Sequence, residues 1–233
     1  SAIDPELTDC AQDWYKQTPS HPLAGAIHAW MLGSATLTDP PGSRRDERLN
    51  EALRIAERAH ALDPGSRLAT MSLARTYGLL GDTEALRRMA AEVSQKGDLN
   101  PDIYSTMGLL LVLQNDMSGE AELDRALAFH PAPPSRYFIG KFIAAMMRDD
   151  PRAAGAALER IMAGDRSSYW TLYLRTAYLA RTGDIVAARR FWSSGTANHP
   201  ILRLYPHYVI GNAPAAPAVK QRLREWMGPV IDR

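Results

Sequence analysis

The sequence predicts an all-α fold, a right-handed α-solenoid of about five helix pairs with a C-terminal capping helix. Three observations lead to this prediction. Turn-forming dipeptides recur at a constant interval, small residues lie between large apolar ones on the helical faces that flank them, and many of the second helices end before a proline.

The repeat is marked by four dipeptides, each 34 residues after the previous one: Gly81-Asp82, Asn115-Asp116, Asp149-Asp150 and Gly183-Asp184. The first member is Gly, Asn or Asp, the residue types that most readily adopt the left-handed conformation that ends a helix. The second member is always Asp, a strong N-cap whose side chain accepts a backbone N–H of the next helix. We therefore predict that one helix ends and another begins at each dipeptide.

The flanking residues support helix pairing. Before the turns, small residues lie between large ones in Leu73-Ala74-x-x-Tyr77, Met107-Gly108-x-x-Leu111 and Ile139-Gly140-x-x-Ile143. After the turns, a small and a large residue share one helical face in Ala85-x-x-x-Met89, Ala154-x-x-x-Leu158 and Ala187-x-x-x-Phe191. The pairs that punctuate the units are Asp63-Pro64, Asn100-Pro101, His130-Pro131 and His199-Pro200.

A unit of about 34 residues with two antiparallel helices and this pattern resembles the tetratricopeptide repeat (TPR), over residues 47–200. Residues 51–64 are the closest match and resemble the second helix of a repeat. The tryptophan expected early in each first helix is absent, and Gly140 follows Gly108 by 32 residues. The resemblance therefore implies a degenerate array whose first helices line a concave groove for a peptide.

The two ends depart from the repeat. Residues 1–46 predict N-terminal helices followed by a long loop at 33–46, and residues 201–233 predict a linker and a capping helix near 219–227. A long loop before imperfect repeats is similar to the C-terminal repeat regions of bacterial winged-helix transcription regulators and adenylate cyclases. The opening Ser1–Pro5 is typical of an expression scar on an excised piece.

Composition and motifs argue against an enzyme, a metalloprotein or a nucleic-acid-binding protein. The 27 basic and 26 acidic residues leave a net charge of +1, which disfavours direct nucleic-acid binding, and no apolar run is long enough to cross a membrane. We expect no catalytic residues, no cofactor and no metal site, with the histidines structural and Asp149 and Asp150 acting as caps. The single cysteine, Cys10, lies on an apolar stripe with Leu7 and Trp14 and is predicted to be buried and inert.

The remaining candidate is the groove. In the usual repeat geometry, the inward-facing residues are Met71, Arg75, Ser105, Leu109, Arg136, Tyr169, Trp170 and Tyr173. We predict that Arg75, Arg136 and Tyr173 contact a partner, because arginine and aromatic residues are favoured anchors at interfaces. The alternative for each apolar member is simple packing between repeats.

The sequence thus favours a protein- or peptide-binding scaffold or sensor domain, without enzymatic activity, from a larger bacterial regulatory protein. One alternative is a ligand-sensing region of a transcription regulator or adenylate cyclase, and another is a self-association domain that forms a homodimer. A single cysteine favours the cytoplasm, while an upstream membrane segment in the parent protein would place the domain in the periplasm.

Overall fold

The computed structural model describes residues 5–37, 44–97, 100–164, 168–197 and 200–232. In these ranges it contains α-helices and one 3-10 turn, Ser135–Tyr137, and no strand, so the all-α prediction is confirmed. In chain order the helices are α1 (Pro5–Gln17), α2 (Pro22–Ala35), α3 (Arg45–Leu62), α4 (Arg67–Leu80), α5 (Thr83–Lys96), α6 (Pro101–Leu113), α7 (Gly119–Phe129), α8 (Phe138–Met147), α9 (Pro151–Gly164), α10 (Tyr169–Arg181), α11 (Ile185–Gly195), α12 (Pro200–Leu204), α13 (Pro206–Asn212) and α14 (Pro217–Ile231).

Five consecutive helix pairs form the stack: α2 with α3, α4 with α5, α6 with α7, α8 with α9, and α10 with α11. The first helices pack in series, α4 between α2 and α6, and α6 between α4 and α8. In the last pair, α10 packs against α9 and against the C-terminal helix α14. The predicted number of pairs is confirmed, and the regular order of first helices changes at α10.

The turns follow the predicted pattern. Backbone φ is positive at all four turn positions, with values of 77° at Gly81, 62° at Asn115, 55° at Asp149 and 92° at Gly183. The next residue caps the following helix in three turns, since the carboxylates of Asp82, Asp150 and Asp184 accept the N–H of Ala85, Ala153 and Ala187.

The turn at Asn115 departs from this pattern. The helix α7 begins only at Gly119, so the carboxylate of Asp116 lies too early in the chain to cap it. It accepts the N–H of Ser118 and forms an ion pair with Arg87 on α5, at 2.6 Å.

Small residues allow the close helix contact that the sequence predicts. A Cβ atom at Gly108 would lie 2.6 Å from the carbonyl oxygen of Gly119, and one at Gly119 would lie 2.5 Å from that of Gly108. A Cβ at Gly140 would meet the Leu123 side chain at 2.6 Å. The α6–α7 pair and its neighbour α8 are therefore in contact at positions where a larger residue does not fit.

The ends differ from the prediction in three ways. Helix α2 extends to Ala35 and α3 begins at Arg45, so the connection is shorter than the predicted 33–46 loop, and its residues 38–43 lie outside the described part. The predicted linker after residue 200 contains α12 and α13, and the last helix is longer than 219–227. Cys10 is exposed, because α1 turns Ala11 rather than Cys10 and Leu7 into its contact with α2.

Candidate binding surface

The first candidate groove residues lie on α4. Met71 and Arg75 are both half-buried. The guanidinium of Arg75 donates to Ser34 Oγ at 2.9 Å and lies over the Trp30 ring at 4.7 Å, while its Nε is buried without a hydrogen-bond partner. Burial lowers the pKa of Arg75 to about 10, so the side chain still carries its charge at neutral pH.

On α6 the structure separates two predicted residues. Ser105 is 6% exposed, so little of its surface is accessible, and its contact with a partner stays a prediction. Leu109 is partly buried and packs against the core around α8, where a Cβ at Gly140 would lie 3.4 Å from the Leu109 Cα. Helix packing between repeats accounts for the position of both residues.

Arg136 lies in the 3-10 turn before α8 and is exposed. It pairs with Asp102 at the start of α6, and its guanidinium lies 5.2 Å from the Tyr137 ring centroid. Asp102 also accepts the Tyr137 hydroxyl at 2.6 Å and lies 3.6 Å from Arg67 at the start of α4. This cluster joins the N-terminal ends of three consecutive first helices.

The electrostatics of Asp102 reflect these contacts. Partial burial acts to raise the pKa of its carboxyl, but hydrogen bonds from Tyr137 and Arg136 and the positive charges of Arg136 and Arg67 outweigh burial and lower that pKa. The carboxylate is therefore held in its ionised form, and Arg136 keeps an exposed face beside it.

On α10, Trp170 is half-buried and packs against the core. Tyr173 is 1% exposed, its ring meets Trp192 edge-on at 5.1 Å, and its hydroxyl lies 3.5 Å from the carbonyl oxygen of Pro206. The C-terminal helices cover this part of α10, and the contact of Tyr173 with a partner stays a prediction. The side chain of Tyr169 lies outside the described part of the chain.

The C-terminal segment returns to the earlier repeats. We call residues 211–220 the return segment. The amide of Asn212 lies 3.5 Å from the carbonyl of Leu37 just after α2, and Ala216 donates its N–H to the carbonyl of Leu113 at the end of α6, at 2.8 Å. The Gln114 amide donates to Gly78 in α4 at 2.9 Å and to Pro214 at 3.1 Å. The return segment thus contacts the C-terminal ends of the first helices.

Helix α14 continues from the return segment across the last repeats. The Trp226 ring lies 6.1 Å from the Phe142 ring in α8 and 6.0 Å from the Arg181 guanidinium at the end of α10. Arg189 in α11 donates to the carbonyl of Pro229 at 2.9 Å. The apolar face of α14 is therefore part of the common core and does not only cap the final pair.

A cleft of about 400 Å³ lies between the return segment and the N-terminal repeats, and we call it the C-terminal cleft. Polar side chains from both walls line it: Arg45, Thr83, Gln114, Asn212 and Lys220. None of the described residues that line it is acidic. Sequence reasoning did not find this site, since it depends on contacts between segments about 100 positions apart.

Other chemistry-bearing residues are dispersed. Within the described ranges, no three or more His, Cys, Asp and Glu side chains come together as a metal site, and no helix has the length and apolarity needed to span a bilayer. His28 is buried and stacks on Tyr15 at 5.3 Å. Burial lowers the pKa of His28, which Glu51 opposes and Lys16 reinforces.

Known proteins resemble this chain in its structure but not in its sequence. No protein-family model and no curated protein matches the sequence. The fold is similar to a chain in the crystal structure of the APC/C hetero-tetramer Cut9–Hcn1, with a TM-score of 0.62, 12% identity, and coverage of 95% of this chain and 46% of that one.

The chain is a TPR-like solenoid. It spans less than half the length of this structural neighbour, so the likeness concerns the fold of the repeats. The TPR-like array has the five predicted pairs, and its return segment is the feature that the repeat pattern does not imply.

Proposed function

We propose that the TPR-like solenoid is a non-catalytic scaffold that binds a protein or peptide through its first helices. The observation that carries this proposal is the series of side-by-side first helices α2, α4, α6 and α8. A stack held in this way offers a preformed surface, and a preformed surface loses little conformational entropy on binding.

The candidate contact residues divide by accessibility. Arg136 is exposed, while Met71, Leu109, Arg75 and Trp170 keep part of their surface accessible. Arginine, methionine and tryptophan are enriched at protein interfaces, which supports Arg136 and Met71 as the first positions to test.

The structural neighbour supports the same class of function. The crystal structure that contains this neighbour is that of a hetero-tetramer, so that protein assembles with a partner. We propose by analogy that this chain also serves protein association, and that it is a piece of a larger bacterial regulatory protein, as its resemblance to the repeat regions of regulators and cyclases suggested.

The test is selection of a phage-displayed peptide library on the purified chain, followed by calorimetry with the enriched peptides. We expect Arg136→Ala and Met71→Ala to weaken binding about tenfold or more with unchanged helicity by circular dichroism. Arg88→Ala, an exposed arginine on the second helix α5, is the matched control and should bind as the wild type does. A library without enriched peptides, or equal affinity for all variants, would contradict the proposal.

Self-association is the competing outcome, and light scattering over a concentration series measures it directly. A mass that doubles with concentration and is insensitive to the selected peptides would favour an assembly domain over a peptide-binding one.

A further inference from the structure

Three positive side chains meet at the C-terminal cleft. Lys220 and Arg224 are one turn apart on α14, and Arg45 at the start of α3 lies across from them. Arg45 and Lys220 line the cleft, and the Arg224 guanidinium lies beside Gly211, another lining residue, since a Cβ there would be 3.8 Å from it. Like charges one helical turn apart repel each other, so this arrangement is unfavourable without a counter-charge.

Carboxylate partners within the described residues do not balance these charges. Among the described residues, Arg45 has one ion pair, with the exposed Asp46 at 3.8 Å, and its Nε is buried without a hydrogen-bond partner. Lys220 donates to the carbonyl of Gly211, a neutral acceptor. Burial lowers the pKa of Lys220, and the nearby positive charges of Arg45 and Arg224 lower it further.

We propose that the C-terminal cleft binds a small anion that carries carboxylate or phosphate groups, and that Lys220 and Arg45 are the main residues that bind it. A volume of about 400 Å³ lies in the range of small-molecule sites. An anion there would replace mutual repulsion of the cations with charge-assisted hydrogen bonds.

The walls of the cleft refine the ligand class. The N-terminal end of α14, at Ala216 and Pro217, lines one side, and the positive end of a helix dipole favours an anion. The last turn of α4, Leu79 and Leu80, lines another side, where helix carbonyl groups end without partners in their own helix. An anion that also has hydroxyl donors, such as a hydroxycarboxylate or a phosphate monoester, could place its negative group at the start of α14 and donate its hydroxyl groups to the carbonyl groups at the end of α4.

This inference goes beyond the proposed peptide-binding function and does not rest on it. The cleft lies between the return segment and the C-terminal ends of α4 and α6. The peptide test uses Arg136, in the 3-10 turn before α8, and Met71, near the N-terminal end of α4. Failure of one site to bind leaves the other measurable.

The test is isothermal calorimetry of the purified chain with citrate and with inorganic phosphate, at ionic strength held constant with sodium chloride. We expect saturable binding by the wild type, and at least a tenfold weaker dissociation constant in Lys220→Gln and in Arg45→Gln. Of the two variants, Arg45→Gln is expected to disturb the fold less, because it removes a 3.8 Å ion pair with an exposed aspartate. The matched controls are Lys16→Gln on α1 and Arg58→Gln on α3, both exposed and both expected to bind as the wild type.

Each outcome is decisive. Absence of citrate and phosphate binding by the wild type overturns the proposal, and so does binding that neither Lys220→Gln nor Arg45→Gln weakens. Stronger binding of citrate than of phosphate assigns the ligand to carboxylates, and the reverse order assigns it to phosphates. A peptide with a free C-terminal carboxylate that binds while both small anions fail also contradicts a small-anion site.

Discussion

The side-chain amide of Gln114 donates a hydrogen bond to the carbonyl of Pro214, a residue 100 positions further along the chain, at 3.1 Å. The same amide donates to the carbonyl of Gly78 in the preceding repeat at 2.9 Å. One side chain therefore connects α4, the end of α6 and the return segment. At this junction the C-terminal part of the chain is hydrogen-bonded to earlier repeats, which does not occur in a stack whose repeats contact only their neighbours.

Replacement of Gln114 tests this junction. Gln114→Ala removes the side-chain donor of the Pro214 carbonyl and one of two donors to the Gly78 carbonyl, which also accepts the N–H of Gly81. We expect it to lower the free energy of unfolding by about 1–3 kcal/mol. Urea denaturation followed by circular dichroism measures the change. The control is Gln12→Ala on the exposed face of α1, which should change stability by less than about 0.5 kcal/mol. Equal effects of both substitutions would contradict the junction.

The second prediction concerns the positive φ of the glycine at a helix end, Gly183. Gly183 has a φ of 92°, and an added Cβ there meets nothing within 4 Å, so Gly183→Ala changes only backbone strain. We expect a loss of about 1–2 kcal/mol in the free energy of unfolding. Gly65→Ala serves as control, since Gly65 has no positive φ and its Cβ would make an ordinary contact. A neutral Gly183→Ala would show that the turn relaxes to another conformation.

His28 makes stability depend on pH. Burial lowers its pKa below the usual value of about 6.5, so the unfolded chain binds the proton more readily than the folded one. The contribution of His28 to the free energy of unfolding is therefore fully present above a pH of about 6.5. It decreases as the pH falls through that value toward the pKa of His28 in the folded chain. We expect urea midpoints to fall between pH 7 and 5 in the wild type and to fall less in His28→Phe. His21→Gln, at an exposed position, should keep the wild-type slope.

Arg75 is a half-buried charge without a carboxylate partner among the described residues. Replacement by methionine keeps the chain length over the Trp30 ring and removes a desolvated guanidinium, at the cost of its bond to Ser34. Because burial of a charge without an opposite charge is unfavourable, we expect Arg75→Met to be neutral or to stabilise the fold by about 1 kcal/mol. Arg58→Met, on an exposed face of α3, is the control. A loss above about 2 kcal/mol would show that Arg75 is needed for packing.

The repeats were predictable because their signals are local. A residue in the left-handed region and an N-cap act within a few positions, so Gly81 and Asp82, or Gly183 and Asp184, specify a helix end and a helix start without reference to the rest of the chain. The same reasoning fails for Asp116, because two extra residues before α7 move it out of capping range.

The C-terminal contacts were not predictable in this way. Tyr173 fits a groove position by repeat register, yet α13 and α14 cover it, and nothing within α10 signals that cover. Two features of the sequence lie beside the cleft, although neither of them predicts it alone. The prolines Pro214 and Pro217 break the helix before α14, and Lys220 and Arg224 place like charges one turn apart.

The return segment changes how this array can fold and be extended. In an open repeat array each unit depends only on its neighbours, and terminal units can unravel one at a time. Here the last third of the chain is hydrogen-bonded to the first half, at Leu37, Leu113 and Gln114, so the early units complete their contacts only after the final helix is synthesised. Loss of the last twenty residues should thus expose amide protons in α4 and α6 to exchange, far from the site of truncation.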